Sequence, residues 1–345
     1  MTAPDRRFPA EWEPQDGVLL AWPHEDTDWA PWLAQVEQNY IALAHAVLDH
    51  TALFLVVRDA PLAQRARRLL GEKAANRVHW IQYDYNDTWM RDSGPVTLYD
   101  TNRRPLWLDF RFTGWGGKYA ADADDALIEN LLHEPRFAHV QRQRVDFALE
   151  GGAIETDGAG TLLSTWNCLE HRHRDKDRAE IIAVLKDTLA CDRVLLLEHG
   201  ELEGDDTDAH IDTLARFAAT DAIVYQGCDD QGDSHYAGLA RMAGELRALR
   251  TREDEPYRLY ALPWAPRIEA ADGRRLAASY ANFLIINDAV LMPAYGLPTD
   301  NAAVAVLQLA FPERRVVAVP CRGLIEQNGS LHCVSMQLPK GVAAG

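Results

Sequence analysis

Hydrophobic positions along the chain follow two periods. Over 30–49, Trp32, Val36, Tyr40, Leu43 and Val47 recur every three or four residues and form one helical stripe. Similar spacing predicts helices over 61–72, 124–133, 176–189, 235–249 and 301–310. Short apolar runs of strand type lie between them: Val18–Trp22, Leu53–Val57, Val78–Tyr83, Val194–Leu197, Ile223–Tyr225, Phe283–Ile286 and Val316–Val319. Helices and strands that alternate from end to end predict an α/β fold. No Ser/Gly linker or low-complexity tract marks a domain boundary, and Lys340–Gly345 reads as a loose tail.

A polar motif stands beside a strand-like run five times: Arg91-Asp92-Ser93-Gly94, Glu150-Gly151-Gly152, His210-Ile211-Asp212, Tyr280-Ala281-Asn282 and His332-Cys333. The motifs are spaced at about 60 residues, which suits a strand–helix–strand unit with a hairpin. Five such units around an axis would bring all five polar tips together. Ordinary polar strand ends in an α/β protein are the alternative.

The chain has 345 residues, with 52 Asp and Glu against 35 Lys and Arg, a net charge of −17. That excess argues against nucleic acid or an anionic membrane surface as partner, and is compatible with a cationic small substrate. No run reaches the length of a membrane span, and the first residues lack the apolar core of a secretory signal. Five scattered cysteines, Cys168, Cys191, Cys228, Cys321 and Cys333, never form a CxxC pair. They read as free thiols in a reducing compartment, so a cytoplasmic location is expected, and a structural zinc site is not.

Several residues offer chemistry. Cys333 follows a Gly-containing turn and becomes a nucleophile only if a base stands close or its pKa falls; a buried structural thiol is the alternative. His332 reads as a poor base for it, because adjacent strand residues point to opposite faces. His210 and Asp212 share a face on a strand and diverge on a helix. The stretch from His199 to Asp212 is also dense in Glu201, Glu203, Asp205, Asp206 and Asp208, which leaves a hard metal ion or a solvated acidic loop as competing readings. Asp92, beside Gly94-Pro95, is either a turn residue or, with Trp89, the wall of a flat-cation site. Glu150 precedes two glycines that allow close backbone approach or a tight turn. A thiol, a His–Asp pair and further carboxylates together suit a guanidinium, whose planar N–H fork matches carboxylate oxygens.

These residues resemble the agmatine deiminases and bacterial peptidylarginine deiminases, guanidine-modifying enzymes of the pentein fold. The matching stretches run in family order: Ala21-Trp-Pro, Trp89-Met-Arg-Asp-Ser-Gly-Pro, Gly114-Trp-Gly-Gly-Lys-Tyr, Glu150-Gly-Gly, Gly204 to Phe217, Ala278-Ser-Tyr-Ala-Asn-Phe and Ser330-Leu-His-Cys. The resemblance implies one domain, a five-bladed α/β propeller with pseudo-five-fold symmetry. It implies Cys333 as nucleophile, His210 as general acid and then base, Asp92 and Asp212 as grips on the guanidinium, and Glu150 as partner of His210 or the substrate. Trp89 and Trp115 would line the pocket, Gly329 would let the loop bring Cys333 to the guanidinium carbon, and Asp206 or Asp208 would meet a distal ammonium. No metal or cofactor is implied. The partner would be a small cationic guanidine, and homo-oligomers are common in the family. Agmatine is the expected substrate, with N-carbamoylputrescine as product, on the way to putrescine and polyamines. Arginine or peptidylarginine is the alternative within the class. A metal-dependent hydrolase using the His199–Asp212 loop, or a non-catalytic pentein binding module, comes from other classes. Two stretches, Gln327–Leu331 and Trp166–Asp175, depart from the agmatine deiminase pattern, which puts in question the part of the pocket that reads the substrate's far end.

Overall fold

A computed structural model describes residues 6–344. The strands fall into five separate sheets. Four of them begin with an antiparallel hairpin followed by a parallel strand: Val96–Asp100, Pro105–Arg111 and Gln141–Ala148; Ile154–Thr156, Thr161–Thr165 and Arg193–Leu197; Ala215–Ala219, Ala222–Gln226 and Arg258–Leu262; Leu284–Ile286, Ala289–Ala294 and Arg315–Pro320. The fifth repeats this order across the chain ends. Met336–Pro339 pairs antiparallel with Gln15–Ala21, which runs parallel to Ala52–Val57 and then Val78–Gln82. Short Arg6–Arg7 adds an antiparallel edge to Val96–Asp100.

A parallel pair needs a long crossover. The predicted helices supply these: Leu33–His50, Ala60–Leu70, Arg178–Thr188, Tyr236–Ala248 and Asp300–Ala310. Leu33–His50 buries Val36, Tyr40, Leu43 and Val47, four of the five stripe residues, and packs against Ala52–Val57 and Arg315–Pro320. The stretch 124–133 is instead two short pieces, Asp122–Asp125 and Leu127–Leu131. Gly71, at φ 79°, ends the helix of 61–72 at Leu70. Among the described residues no helix is long and apolar enough to cross a membrane.

The expected loose tail is not loose. The strand Met336–Pro339 before it lies against Gln15–Ala21, so the residues that follow stay beside residues 14–16. Lys340 N–H donates to the Pro14 carbonyl at 2.9 Å, and Gly341 and Ala343 N–H donate to Asp16 Oδ2 at 2.8 and 2.9 Å. Val342 is fully buried. Gly345 lies outside the described residues.

Candidate active site

Each of the five polar motifs stands just ahead of the first hairpin strand of its sheet. The tips touch in cyclic order. Asp92 Oδ1 accepts from Gly152 N–H at 3.0 Å. Glu150 Oε2 lies 3.6 Å from His210 Nε2. The Asp212 carbonyl accepts from Asn282 Nδ2 at 3.4 Å. Asn282 Oδ1 accepts from His332 N–H at 2.9 Å, and its Nδ2 lies 3.2 Å from Cys333 Sγ. The Cys333 carbonyl accepts from Arg91 N–H at 3.1 Å, which completes the cycle.

The glycine after Glu150 has a steric cause. A Cβ on Gly152 would lie 2.7 Å from His210 Nδ1, 2.8 Å from Asp92 Oδ1 and 3.2 Å from Asp212 Oδ2. Three functional side chains therefore converge on one hydrogen atom of backbone. Gly329 is similar: a Cβ there would sit 2.2 Å from the Trp89 ring.

His210 is followed by a short 3-10 turn, Ile211–Thr213, so neither the strand nor the helix alternative applies. Its Nδ1 is 3.6 Å from Asp92 Oδ1, and its other nitrogen faces Glu150. Burial lowers the affinity of the ring for a proton, but Asp92, then Cys168 and Glu150, outweigh it and hold the pKa well above 6.5. Burial pushes Asp92 up to about 6 against the pull of His210. Burial also raises Glu150, yet His210 and Arg172 hold it below the usual range. Burial, then Asp212 and Asp92, push the Cys333 thiol well above 9. Burial and the surrounding carboxylates thus favour an imidazolium beside a neutral thiol.

Asp212 differs from the expected guanidinium grip in its surroundings. Its Oδ2 accepts from His332 Nδ1 at 2.7 Å and lies 3.7 Å from Cys333 Sγ, while Oδ1 is buried without a partner. His332 and Cys333 reach the same carboxylate because Leu331–Val334 is a turn and not a strand start, so opposite-face geometry does not hold there. His332 is nevertheless engaged on both nitrogens, the second at 2.9 Å from Glu11 Oε2.

A cavity of about 550 Å³ opens onto this centre. Trp89, Asp92, Trp115, Gly329 and Cys333 line it, with Asp26, Asp28, Asp87, Asp124, Asp206 and Glu326. No Lys, Arg or His is among its lining residues. Trp115 Nε1 donates to Asp92 Oδ2 at 2.9 Å. Burial pushes Asp87 and Asp124 each up to about 7. Asp206 lines the cavity and ties two loops, accepting from Tyr119 Oη at 2.8 Å and Asn328 Nδ2 at 3.0 Å. Asp208 does not line it. Its carboxylate is taken by Arg172 at 2.6 Å, Lys118 at 3.0 Å and His171 at 3.1 Å. Burial opposes these partners, but the hydrogen bonds from Arg172, Lys118 and His171 together hold Asp208 at about 2.

The acidic loop does not assemble a metal centre among the described residues. His199 pairs with Glu245, Asp205 accepts from the Thr207 and Ala209 N–H groups, and Asp208 is taken by Arg172, Lys118 and His171. The one grouping of three ligand-type side chains is Glu150, Cys168 and His210, with ligand atoms within 4.8 Å. Arg172 Nε sits 2.7 Å from Glu150 there, and a guanidinium at that distance opposes a second cation. The departing stretch Trp166–Asp175 contributes nothing to the cavity wall; it stands behind Glu150 and His210.

Residues the motifs did not single out hold the centre from below. Glu11 Oε2 meets Arg216 Nη2 at 2.9 Å as well as His332, and Arg216 Nε meets Glu155 at 2.9 Å. Arg216 is fully buried. Asn282 was visible as a repeat tip without an assigned role, whereas Glu11 and Cys168 carry no local signal of one.

Comparisons with known proteins place the chain in a family. The family model for Porphyromonas-type peptidyl-arginine deiminase matches residues 7–339. Agmatine deiminase of Stutzerimonas stutzeri is 32% identical, over 96% of this chain and 95% of that protein. A Porphyromonas gingivalis structure, provisionally named an arginine deiminase, is 46% identical with a TM-score of 0.91, covering 97% of this chain and 99% of its own. A cysteine-to-serine variant of C. jejuni agmatine deiminase, solved with substrate bound, is 33% identical with a TM-score of 0.90, covering 97% of each chain. These neighbours share the pentein fold. The five tips, the cavity and the near full-length match have one reading: the chain belongs to the Porphyromonas-type peptidyl-arginine deiminase family.

Proposed function

We propose that the chain hydrolyses agmatine to N-carbamoylputrescine and ammonia through a covalent intermediate on Cys333. The observation that carries this reading is a nucleophile and a carboxylate, Cys333 and Asp92, in one cavity with six further carboxylates and no basic side chain. A guanidinium suits Asp92, and a second cationic end suits the acidic mouth, where Asp206 stands; a carboxylate-bearing substrate end would meet repulsion. Homologues named agmatine deiminase, at full length, support the same substrate.

The chemistry follows from the charges. An arriving guanidinium beside Asp92 and Asp212 favours the thiolate form of Cys333 that the empty site disfavours. The sulfur attacks the guanidinium carbon, and the C=N electrons move to nitrogen. The His210 imidazolium gives its proton to the departing nitrogen, and ammonia leaves. A thiouronium remains on Cys333. Neutral His210 then takes a proton from water as its oxygen attacks the same carbon. The C–S bond breaks as the hydroxyl proton passes to the departing sulfur, and the ureido product and the Cys333 thiol result. Glu150 stabilises the imidazolium, and Trp89 and Trp115 wall the flat cation. Asp208, engaged with Arg172, Lys118 and His171, is left out of the substrate site.

In the same reading the five sheets stand as blades of one α/β propeller, and the chain is one domain. The cyclic contacts of the tips and the sheet that joins both chain ends support this. The partner is a small cationic guanidine, the enzyme is cytoplasmic, and copies of the chain associate. A colorimetric assay for ureido product across agmatine, arginine and a blocked arginine peptide tests the function. Product from agmatine far above the other two is expected. Inactivity on all three overturns the reading, and preference for arginine or the peptide overturns the substrate.

A further inference from the structure

Helix Trp166–Arg172 stands behind the acid–base pair, and none of its residues lines the cavity. Cys168 and Arg172 are four positions apart and share one face of that helix. The Arg172 side chain is only 2% exposed. Its Nε donates to Glu150 Oε1 at 2.7 Å, Nη1 to Asp208 Oδ2 at 2.6 Å and Nη2 to the Thr207 carbonyl at 3.0 Å. With Oε1 taken, Oε2 is the oxygen of Glu150 left for His210. Glu150 Oε2 and His210 Nε2 face one another at 3.6 Å, both buried and without another hydrogen-bond partner. Cys168 is fully buried, and its sulfur lies within 4.8 Å of both atoms.

We propose that the Cys168–Arg172 face is the positioning element of the proton-transfer step. Arg172 fixes which oxygen of Glu150 meets His210, and the Cys168 thiol limits the rotation of the imidazole. The inference rests on the deiminase reading above. Neither side chain touches substrate; both act through the pair in front of them. The step needs an imidazole that gives a proton to the departing nitrogen and then takes one from water, in one orientation throughout. A carboxylate free to rotate, or to take up a proton itself, serves neither half. Arg172 prevents both, because its planar fork holds one oxygen and its charge favours the ionised carboxylate. The same guanidinium ties the pair to Thr207 and Asp208, next to the cavity-lining Asp206.

The test uses full-length Arg172→Gln, Arg172→Lys, Cys168→Ser and Cys168→Val, with agmatine kinetics followed across pH. Arg172→Gln is expected to lower kcat roughly 10- to 100-fold with little change in KM. It should also move the acid limb of the kcat profile to higher pH, because Glu150 then takes a proton more readily. Arg172→Lys should recover part of the loss, Cys168→Ser should stay near the parent, and Cys168→Val should lose kcat. An active parent whose Arg172→Gln variant keeps both kcat and pH profile overturns the inference, as does a loss that follows only the folded fraction. If Arg172→Gln does not fold, Arg172→Lys carries the same comparison. A parent inactive on every guanidine, with Cys333 unmodified, overturns the deiminase reading instead.

Discussion

Glu11 and His332, 321 positions apart in the chain, meet at 2.9 Å directly beneath the cysteine turn. The contact joins the turn that precedes Gln15–Ala21 to the turn that carries Cys333. His332 passes it on to Asp212 at 2.7 Å, and Asp212 lies beside Cys333. Arg216 supplies the balancing charge between Glu11 and Glu155. Arg216→Met would leave two buried carboxylates without it. A destabilisation of about 3–5 kcal/mol is expected, read from urea unfolding. Burial raises Glu11, but Arg216 and His332 outweigh it and hold its pKa well below 4.5. Its stabilisation is therefore present above the unfolded carboxylate pKa and is lost as pH falls through the lower folded value. An Arg216→Met protein as stable as the parent would contradict this role.

Trp115 fixes Asp92 from the cavity side through the 2.9 Å bond from its indole N–H. Trp115→Phe keeps an aromatic wall and removes that donor. Hydrogen bonds to charged groups are worth about 1.5–3 kcal/mol, so kcat/KM should fall roughly 10- to 100-fold. Unchanged kcat/KM in a folded variant would show that the bond does not position Asp92.

Gly152→Ala places a methyl group where His210, Asp92 and Asp212 converge. A displacement near 1 Å in such a centre costs about 100-fold in rate. A loss of at least that size is expected, with circular dichroism close to the parent. Retained activity would mean that these three side chains do not work in the described arrangement.

Two pH dependences follow. In the empty enzyme Asp92 binds a proton as pH falls through about 6, which removes the grip on the guanidinium. The kcat/KM profile, which reports the free enzyme, should decline on its acid side near that value. The Cys333 thiol, held well above 9 by burial and by Asp212 and Asp92, should titrate at lower pH once a guanidinium ligand fills the cavity. Thiolate absorbance, taken as a difference against Cys333→Ser, with and without a non-hydrolysed guanidine, reads this directly. A thiol pKa that does not fall with ligand would remove the substrate-assisted step.

Long amphipathic helices were legible in the sequence because their period is sustained; Leu33–His50 and Asp300–Ala310 are examples. Hairpin strands were harder to read. Gln141–Ala148 is mostly polar and half exposed, Ile154–Thr156 is three residues long, and Ala289–Ala294 contains Pro293, which counts against a strand. Ala215–Ala219 hides a buried arginine whose partners come from Glu11 and Glu155. The residues proposed to react were legible as motif tips, since Asp92, Glu150, His210, Asp212 and Cys333 each stand at the head of a sheet. Their supports were not, because the contacts of Glu11, Cys168 and Arg172 depend on how distant segments meet. The opposite-face argument for His332 fails for a local reason, since a turn stands where a strand start was expected, while both of its ring nitrogens are taken by Asp212 and Glu11.

Acid-quenched turnover followed by peptide mass measurement tests the covalent role of Cys333 most directly. During agmatine hydrolysis the peptide carrying Cys333 should gain the mass of agmatine less ammonia, and Cys333→Ala should release no ammonia while remaining folded. Turnover with Cys333 unmodified, or ammonia released at the parent rate by Cys333→Ala, would contradict the mechanism.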